Sequence, residues 1–572
     1  MANSKRMLKG AEIVWECLVR EGVETVFGYP GGAILPVYDA LANYSDRIHH
    51  VLVRHEQGAA HMADGYSRAS GKVGVAMATS GPGAVNLITG MATAMMDSSP
   101  MVCITGQVPT NVLGSDAFQE TDITGATLPV TKHSYLVMEV DSLANVIREA
   151  FYIARTGRPG PVLIDIPKDV QNDVTEFEYP TEPIDLPGYH PPEKATDEEV
   201  AAVLELINGA DRPLVLSGHG VLMSGARDAL IAIIEKADIP VTTTLLGNDS
   251  LPHSHPLNLG MMGMHGNASA NHAIQEADLI IACGMRFDDR VTGNLKTYSP
   301  NSRKIHIDID ASELNKNVRV DVAINADLAT VLAQIKPGVK QRKRAEWLKT
   351  IQAWQEDATQ RDVLQLESKT LLGAQVIRSI CENIPDDALI VTDVGQHQML
   401  EAQYYSHEQP HTLITSGGLG TMGFGFPAAI GASFHRADRE IWAIVGDGGF
   451  QMTLQELGTA VQEQANVKIA IINNGYLGMV RQWQQMFYNA HYAETPISSP
   501  DYMKLAEAYG VPGYRVDRRE DIEQTLKGAR RHKGPVLIEF VVEQHEMVYP
   551  MVPAGADLHK MIRRPHPEET SV

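Results

Sequence analysis

Apolar and polar positions along this chain follow two periods that keep handing over to each other. Short unbroken apolar runs, such as "IWAIV" at 441–445 and "VKIAII" at 467–472, alternate with stretches whose apolar residues recur every three or four positions. The runs read as buried strands and the spaced stretches as helices, so their succession predicts βαβ units and parallel sheets, an α/β fold. The rhythm breaks twice. Residues 177–199, "FEYPTEPIDLPGYHPPEKATDEE", are rich in proline and acid, and residues 340–362, "KQRKRAEWLKTIQAWQEDATQRD", are polar and helix-like. Boundaries placed there give three doubly wound parallel-sheet domains of similar size, over residues 1–180, 195–340 and 365–550, with a tail at 551–572. Residues 71–106 and 439–474 share one order of strand, glycine loop, helix and strand, which hints at a duplicated architecture in the first and third domains. In the middle domain, "RPLVLSGHG", "IPVTTTLLG", "ADLIIACGMRFDDR" and "KIHIDID" supply the strand-and-turn candidates.

Composition narrows this picture only a little. A length of 572 residues suits roughly three or four domains. The net charge of −22, from 48 basic and 70 acidic side chains, argues against a nucleic-acid or anionic-membrane partner. No stretch approaches the about 18 uninterrupted apolar residues of a membrane span. The first residues lack the apolar core of a signal peptide, so a cytoplasmic protein is expected, or an organelle protein already stripped of its transit segment. Cys17, Cys103, Cys283 and Cys381 are scattered with no C-x-x-C pair, as expected of inert thiols in a reducing compartment.

Candidate chemistry starts where the run 441–445 ends, at Gly446-Asp447-Gly448-Gly449, and where the next run ends, at Asn473-Asn474. In a right-handed βαβ unit both strand ends emerge at the same carboxyl edge, where open α/β sheets bind ligands. Thr453 and Glu456 form a capping-box pattern for the helix between them. A carboxylate and an amide oxygen are hard ligands that, with two phosphate oxygens and a water, suit Mg²⁺. Either motif alone reads better as a tight turn. Bracketing one βαβ unit, the two together favour a site.

That pairing of GDG with a later NN resembles the thiamine-diphosphate motif. The resemblance implies Mg²⁺ held by Asp447, the Asn474 side chain and the Tyr476 main-chain carbonyl. It adds Gly446, Gly448, Gly449, Leu477, Gly478, Met479, Gly395, Gln396 and His397 as cofactor contacts. Such a cofactor needs a carboxylic acid against its pyrimidine ring. Glu56, in "VLVRHEQGAAHMADGYSR", is the candidate, and the resemblance adds Pro30, Gly81 and Asn86 as cofactor contacts; a first-turn Glu complementing the helix dipole is the plain alternative for Glu56. In "SGGLGTMGFGFPAAIGA", Met422 is a candidate prop that bends the cofactor, and the Gly420 carbonyl a candidate acceptor for its 4′-amino group. A core-filling Met is the alternative. In this superfamily the Glu and the metal site come from different subunits, so a homodimer or tetramer with interfacial active sites is implied.

"GYPGGAILPVYDAL", "TSGPGAVNLITG", "ITGQVPTNVLGSDAFQETD", "GMMGMHGNASANHAIQEADLIIACGMRFDDRVTG" and "GYLGMVRQWQQMFY" carry the resemblance further, to the acetohydroxyacid synthase (acetolactate synthase) family, over nearly the whole chain. The family decarboxylates pyruvate and transfers the hydroxyethyl group to a second 2-oxoacid, pyruvate or 2-oxobutanoate, at the start of branched-chain amino-acid biosynthesis. By the same resemblance Arg286 pairs with the acceptor carboxylate, with a structural bridge to Asp288 or Asp289 as alternative. Trp483 walls the acceptor pocket, and Gln119, Phe118, Lys168, Val480 and Phe487 line the channel. The family also carries FAD without net redox chemistry and commonly binds a small regulatory subunit. "GHGVLMSG" at 218–225 misses G-x-G-x-x-G because Met223 takes the third glycine's place, whereas Asp308 at a strand end suits a ribose hydroxyl. Arg158, Gly218, Gly220, Thr244, Met264, His265, Arg286, Asp308 and Asp327 are FAD contacts on resemblance alone.

Overall fold

Three six-stranded sheets, each wholly parallel, organise the chain in the computed structural model, which describes residues 6–365 and 368–566. The first sheet is built from Thr25–Gly28, His49–Leu52, Gly74–Ala78, Met101–Gln107, His133–Leu136 and Pro161–Pro167. The third is built from Leu389–Thr392, Leu413–Ile414, Ile441–Gly446, Val467–Asn473, Gly513–Val516 and Val536–Val541. With strands numbered in chain order inside each sheet, both run 2-1-3-4-6-5. The echo between residues 71–106 and 439–474 is therefore one of topology. The middle sheet, from Pro213–Ser217 to Val322–Asn325, runs 3-2-1-4-5-6, the order of doubly wound dinucleotide folds.

Central strands such as Leu279–Cys283 and Ile441–Gly446 are buried along their whole length, which is why they read as unbroken apolar runs rather than alternating ones. The apolar cores show how the sheets are stacked. The middle sheet has a core on each face, and the first and third sheets each keep one to themselves. The remaining faces of the first and third sheets merge into a single core, running from Phe27 and Val51 to Ile471 and Leu537. Its centre is a helix pair, Glu56–Ser70 of the first domain against Gly425–Ser433 of the third. The pair touches backbone to backbone: a Cβ on Gly65 would lie 2.0 Å from the Ala428 carbonyl oxygen, and one on Gly431 1.9 Å from that of Met62.

The stretches that broke the sequence rhythm behave differently from each other. Residues 178–196 carry no helix, and Thr196 closes them by capping Asp197–Gly209 in a true capping box with Glu199. Polar residues 345–360 form the helix Ala345–Gln360, which buries Trp347 and Ile351 against the middle domain. The tail folds back: Met551 pairs with Ile562, and Val552, Leu558 and Met561 are buried in a middle-domain core. Its last residues, 567–572, lie outside the described residues, as do 1–5. Among the described residues no helix is long and apolar enough to cross a membrane. Cys17, Cys103 and Cys283 are buried and Cys381 half-buried, all unpaired, and burial pushes each thiol up.

Candidate functional site

At the carboxyl edge of the third sheet, strand Ile441–Gly446 ends and Asp447 begins a helix at once, while the neighbouring strand delivers Asn473 and Asn474. Between them opens a cleft. Its lining includes Gly395, Gln396, His397, Met422, Gly446, Asp447, Gly448, Gly449, Asn474, Tyr476, Leu477, Gly478, Met479 and Val480. The cofactor residues read from the third-domain motifs thus converge on one space, Gly420 excepted.

The electrostatics of this cleft are those of a site built for a charged ligand. Asp447 is 2% exposed, and its carboxylate accepts from the backbone amide of Gly475 at 3.1 Å. Burial pushes the carboxyl up to about 7. Asn474 directs Nδ2 to Gln396 Oε1 at 3.1 Å, and its Oδ1 accepts from Tyr476 N at 3.1 Å. The preceding Asn473 is spent on the sheet, donating to Glu539 at 2.7 Å, which explains why only the second amide of the pair faces the cleft. His397 is buried with Nε2 unpartnered, and desolvation pulls its pKa to about 4, leaving a neutral imidazole. Among the described residues no cluster of three or more His, Cys, Asp or Glu could hold a metal unaided. Asp447 and Asn474 therefore fit a cation that brings further oxygen ligands with its anionic partner.

Two carboxylates in the lining region carry no sequence signal. Asp393 is fully buried and accepts from Gly423 N at 2.9 Å and from Val394 N, tying the loop of Met422 to the start of helix Gln396–Tyr404. Glu546 lines the cleft and accepts from Gly373 N at 2.7 Å. Asp393 stands two residues before Gly395 and Glu546 shortly before the tail, and only the packed chain shows what each touches.

The expected capping box at Thr453 is corrected by the structure. The helix starts at Asp447, ends at Thr453, and passes through a 3₁₀ turn at Leu454–Glu456. Thr453 Oγ1 donates to the Gly423 carbonyl at 3.1 Å. Glu456 turns to the first domain, accepting from Arg54 N at 3.2 Å, because tertiary partners outbid the local amide.

The first-domain candidates form a second group. Glu56 opens helix Glu56–Ser70 and accepts from Asn86 Nδ2 at 2.9 Å. Gly81 packs against the backbone of Gln119, which holds a φ of 60°. Pro30 and Gln119 are exposed, Phe118 is 88% exposed, and Lys168 starts a short helix. None of these lines the cleft of the same chain. Trp483 is half-buried and packs on Phe487 with ring centroids 5.2 Å apart.

The FAD candidates lie around the middle sheet with partners of their own. Gly218 and Gly220 follow strand Pro213–Ser217, but their amides donate to the carbonyls of Cys283 and Gly284 at 3.0 Å. A Cβ on Gly218 would meet the Gly284 carbonyl oxygen at 2.2 Å, so close backbone packing accounts for that glycine. Asp308 is buried at a strand end, its carboxyl pushed up to about 6 by desolvation. Arg158 bridges Asp310 at 3.1 Å and Glu313 at 3.3 Å. Arg286 lies 3.7 Å from Asp288, the structural pairing named as its alternative. Asp327 caps Leu328–Ile335, Thr244 precedes a 3₁₀ turn, and His265 faces the Pro550 carbonyl, with Met264 lining a small cavity beside it.

Comparison with known proteins agrees with this arrangement domain by domain. Family models for thiamine pyrophosphate enzymes match throughout: the N-terminal TPP-binding domain over residues 8–126, the central domain over 200–335, and the C-terminal TPP-binding domain over 393–540. The fold is that of a thiamine pyrophosphate enzyme. An acetolactate synthase large subunit of Parasynechococcus marenigrum is 46% identical over 99% of this chain and 93% of its own length. An acetolactate synthase of Mycobacterium leprae is 47% identical over 97% and 90%, and a probable large subunit of Methanococcus aeolicus 43% identical over 99% and 97%. This chain belongs to the acetolactate synthase family.

Proposed function

We propose that the chain is a thiamine-diphosphate-dependent acetolactate synthase: it decarboxylates pyruvate and transfers the hydroxyethyl group to pyruvate or 2-oxobutanoate. One observation carries the reading. Asp447, with its buried carboxylate, Asn474, and His397, whose buried Nε2 has no partner, line one cleft. Asp447, Asn474 and the Tyr476 carbonyl would hold Mg²⁺, and His397 would meet a diphosphate oxygen. When bound, thiamine diphosphate supplies the carbanion that adds to the substrate carbonyl.

Glu56 would exchange a proton with the cofactor's pyrimidine nitrogen, oriented by the amide of Asn86. Because Glu56 does not line the cleft of its own chain, a second copy supplies it in this reading. Arg286 would pair with the acceptor's carboxylate, and Lys168 would line the channel that leads to it. FAD belongs at the carboxyl edge of the middle sheet beside Asp308, held by side chains because the amides of Gly218 and Gly220 are spent, and no step runs through it. A smaller regulatory partner fits relatives that are named large subunits.

Incubation with pyruvate, Mg²⁺, thiamine diphosphate and FAD should yield acetolactate, read as acetoin after acid treatment. Acetaldehyde or acetyl phosphate as the main product would overturn the assignment. Trp483→Leu should lower the preference for 2-oxobutanoate over pyruvate by about tenfold, since one methylene contact is worth ~1–3 kcal/mol. Mixed-substrate product ratios measure this.

A further inference from the structure

The loop Ser416–Gly423 links strand Leu413–Ile414 to helix Gly425–Ser433 and carries Gly420 and Met422, yet much of what grips it comes from the first domain. Asp97 Oδ1 accepts from Gly418 N at 2.6 Å, and Oδ2 accepts from Gly417 N at 3.2 Å. Arg68 donates to Asp97 at 3.0 Å and to the Thr415 carbonyl at 2.8 Å, with its guanidinium 5.4 Å over the Phe424 ring. The hydroxyls of Thr93 and Thr421 meet at 2.7 Å.

Asp97 is badly placed for its own helix. It is the last residue of Ile88–Asp97, where a negative charge opposes the macrodipole, and it is 1% exposed. Local stability therefore does not explain it. Its bonds do: one cation and two amides of another domain satisfy the carboxylate. The double glycine fits the same account, because a Cβ on Gly418 would lie 2.9 Å from Asp97 Oδ1 and one on Gly417 2.8 Å from Leu246 of the middle domain. The loop is wedged where three domains meet, with Met422 facing the cleft.

We infer that Asp97, oriented by Arg68, is a positioning residue that sets the Met422 loop, so that the first domain of a chain shapes the cofactor cleft of that chain's third domain. The inference rests on the cleft being the thiamine diphosphate site. It gives the first domain a task in its own chain, separate from that of Glu56.

Asp97→Asn in the full-length protein is the test, and Arg68 keeps its bond to Asp64 at 2.7 Å, so no cation is orphaned. Hydrogen exchange in the cofactor-free protein should show residues 413–425 losing protection while distant helices keep theirs. Calorimetric affinity for thiamine diphosphate with Mg²⁺ should weaken about tenfold, as expected for a lost charged hydrogen bond, with kcat at saturating cofactor nearly unchanged. Thr93→Val, which removes no charge, should weaken affinity in the same direction and decides the matter alone if Asp97→Asn does not fold. Unchanged affinity and unchanged exchange in the folded variants overturn the inference. If the wild-type protein itself fails to bind thiamine diphosphate, the functional reading falls, and the exchange result still judges the clamp.

Discussion

Asp165 and Asp447 are both buried aspartates whose carboxyls desolvation pushes up to about 7, and their surroundings give the same perturbation opposite meanings. Asp165 faces only its own domain, accepting from Thr105 Oγ1 at 2.6 Å and Gln107 Nε2 at 2.8 Å. Asp447 faces a cleft. For Asp165 the folded-state pKa lies above the unfolded value near 3.8, so its contribution to stability is fully present below about pH 4 and is lost as pH rises through about 7. An amide at this position keeps the Gln107 bond and lets the Thr105 hydroxyl accept instead of donate. Asp165→Asn should therefore stabilise the protein at pH 8, on the order of 1–3 kcal/mol, with the gain fading toward pH 4. Urea unfolding at several pH values checks this, and a pH-independent difference would refute it. Asp447→Asn removes the same desolvation cost, so the cofactor-free variant should melt no lower than wild type at pH 8. Its Mg²⁺-dependent affinity for thiamine diphosphate, however, should fall by about a hundredfold or more, because a metal ligand is lost. A perturbed carboxylate marks function only where a ligand can reach it.

The helices Glu56–Ser70 and Gly425–Ser433 are the elements on which two domains become one body. Their contact is reciprocal, Gly65 on Ala428 and Gly431 on Met62, and leaves no room for a methyl group. Gly65→Ala should cost about 2–4 kcal/mol despite alanine's better helix propensity, because overpacking at a backbone contact outweighs a gain of ~1 kcal/mol. The denaturation midpoint measures the loss; a variant as stable as wild type would show that the helices can slide apart freely. The helix opening at Glu56 was legible from its sequence, as were the strands that frame Asp447, whereas Gly425–Ser433 was not read as a helix. The capping box at Thr453 was misread for a reason on the same scale. Local pattern assigns Glu456 to its own helix end, but the first domain's Arg54 amide competes for it and wins. Asp393 and Asp97 were silent for a related reason, since their partners lie in loops distant in sequence.

At the scale of the molecule, the first and third sheets share one strand order, and their helices meet face to face across a common core. Glycine turns and apolar runs made the three sheets readable. The assembly of the cleft was readable only in part, because spacing places residues at a sheet edge but does not say which chain completes it. The cleft is lined from Gly373 to Val548, and no first-domain residue enters it. Glu56 sits with Asn86 in a separate group, while exposed Phe118, Val480 and Phe487 leave apolar surface on both domains. If a partner's Glu56 completes each site, two inactive variants must rescue each other. Glu56→Gln and Asp447→Asn should each lack activity when purified alone. In a dimer of one chain of each kind, one site combines an intact Glu56 with an intact Asp447, while the other has lost both. Co-expression at equal levels makes half the dimers mixed and half their sites intact, so about a quarter of wild-type activity should return. Mixing the purified variants should restore activity only as fast as subunits exchange. No recovery in co-expressed, chromatographically verified mixed dimers would mean that Glu56 serves its own chain, and the site would then have to close by moving the first domain over the third.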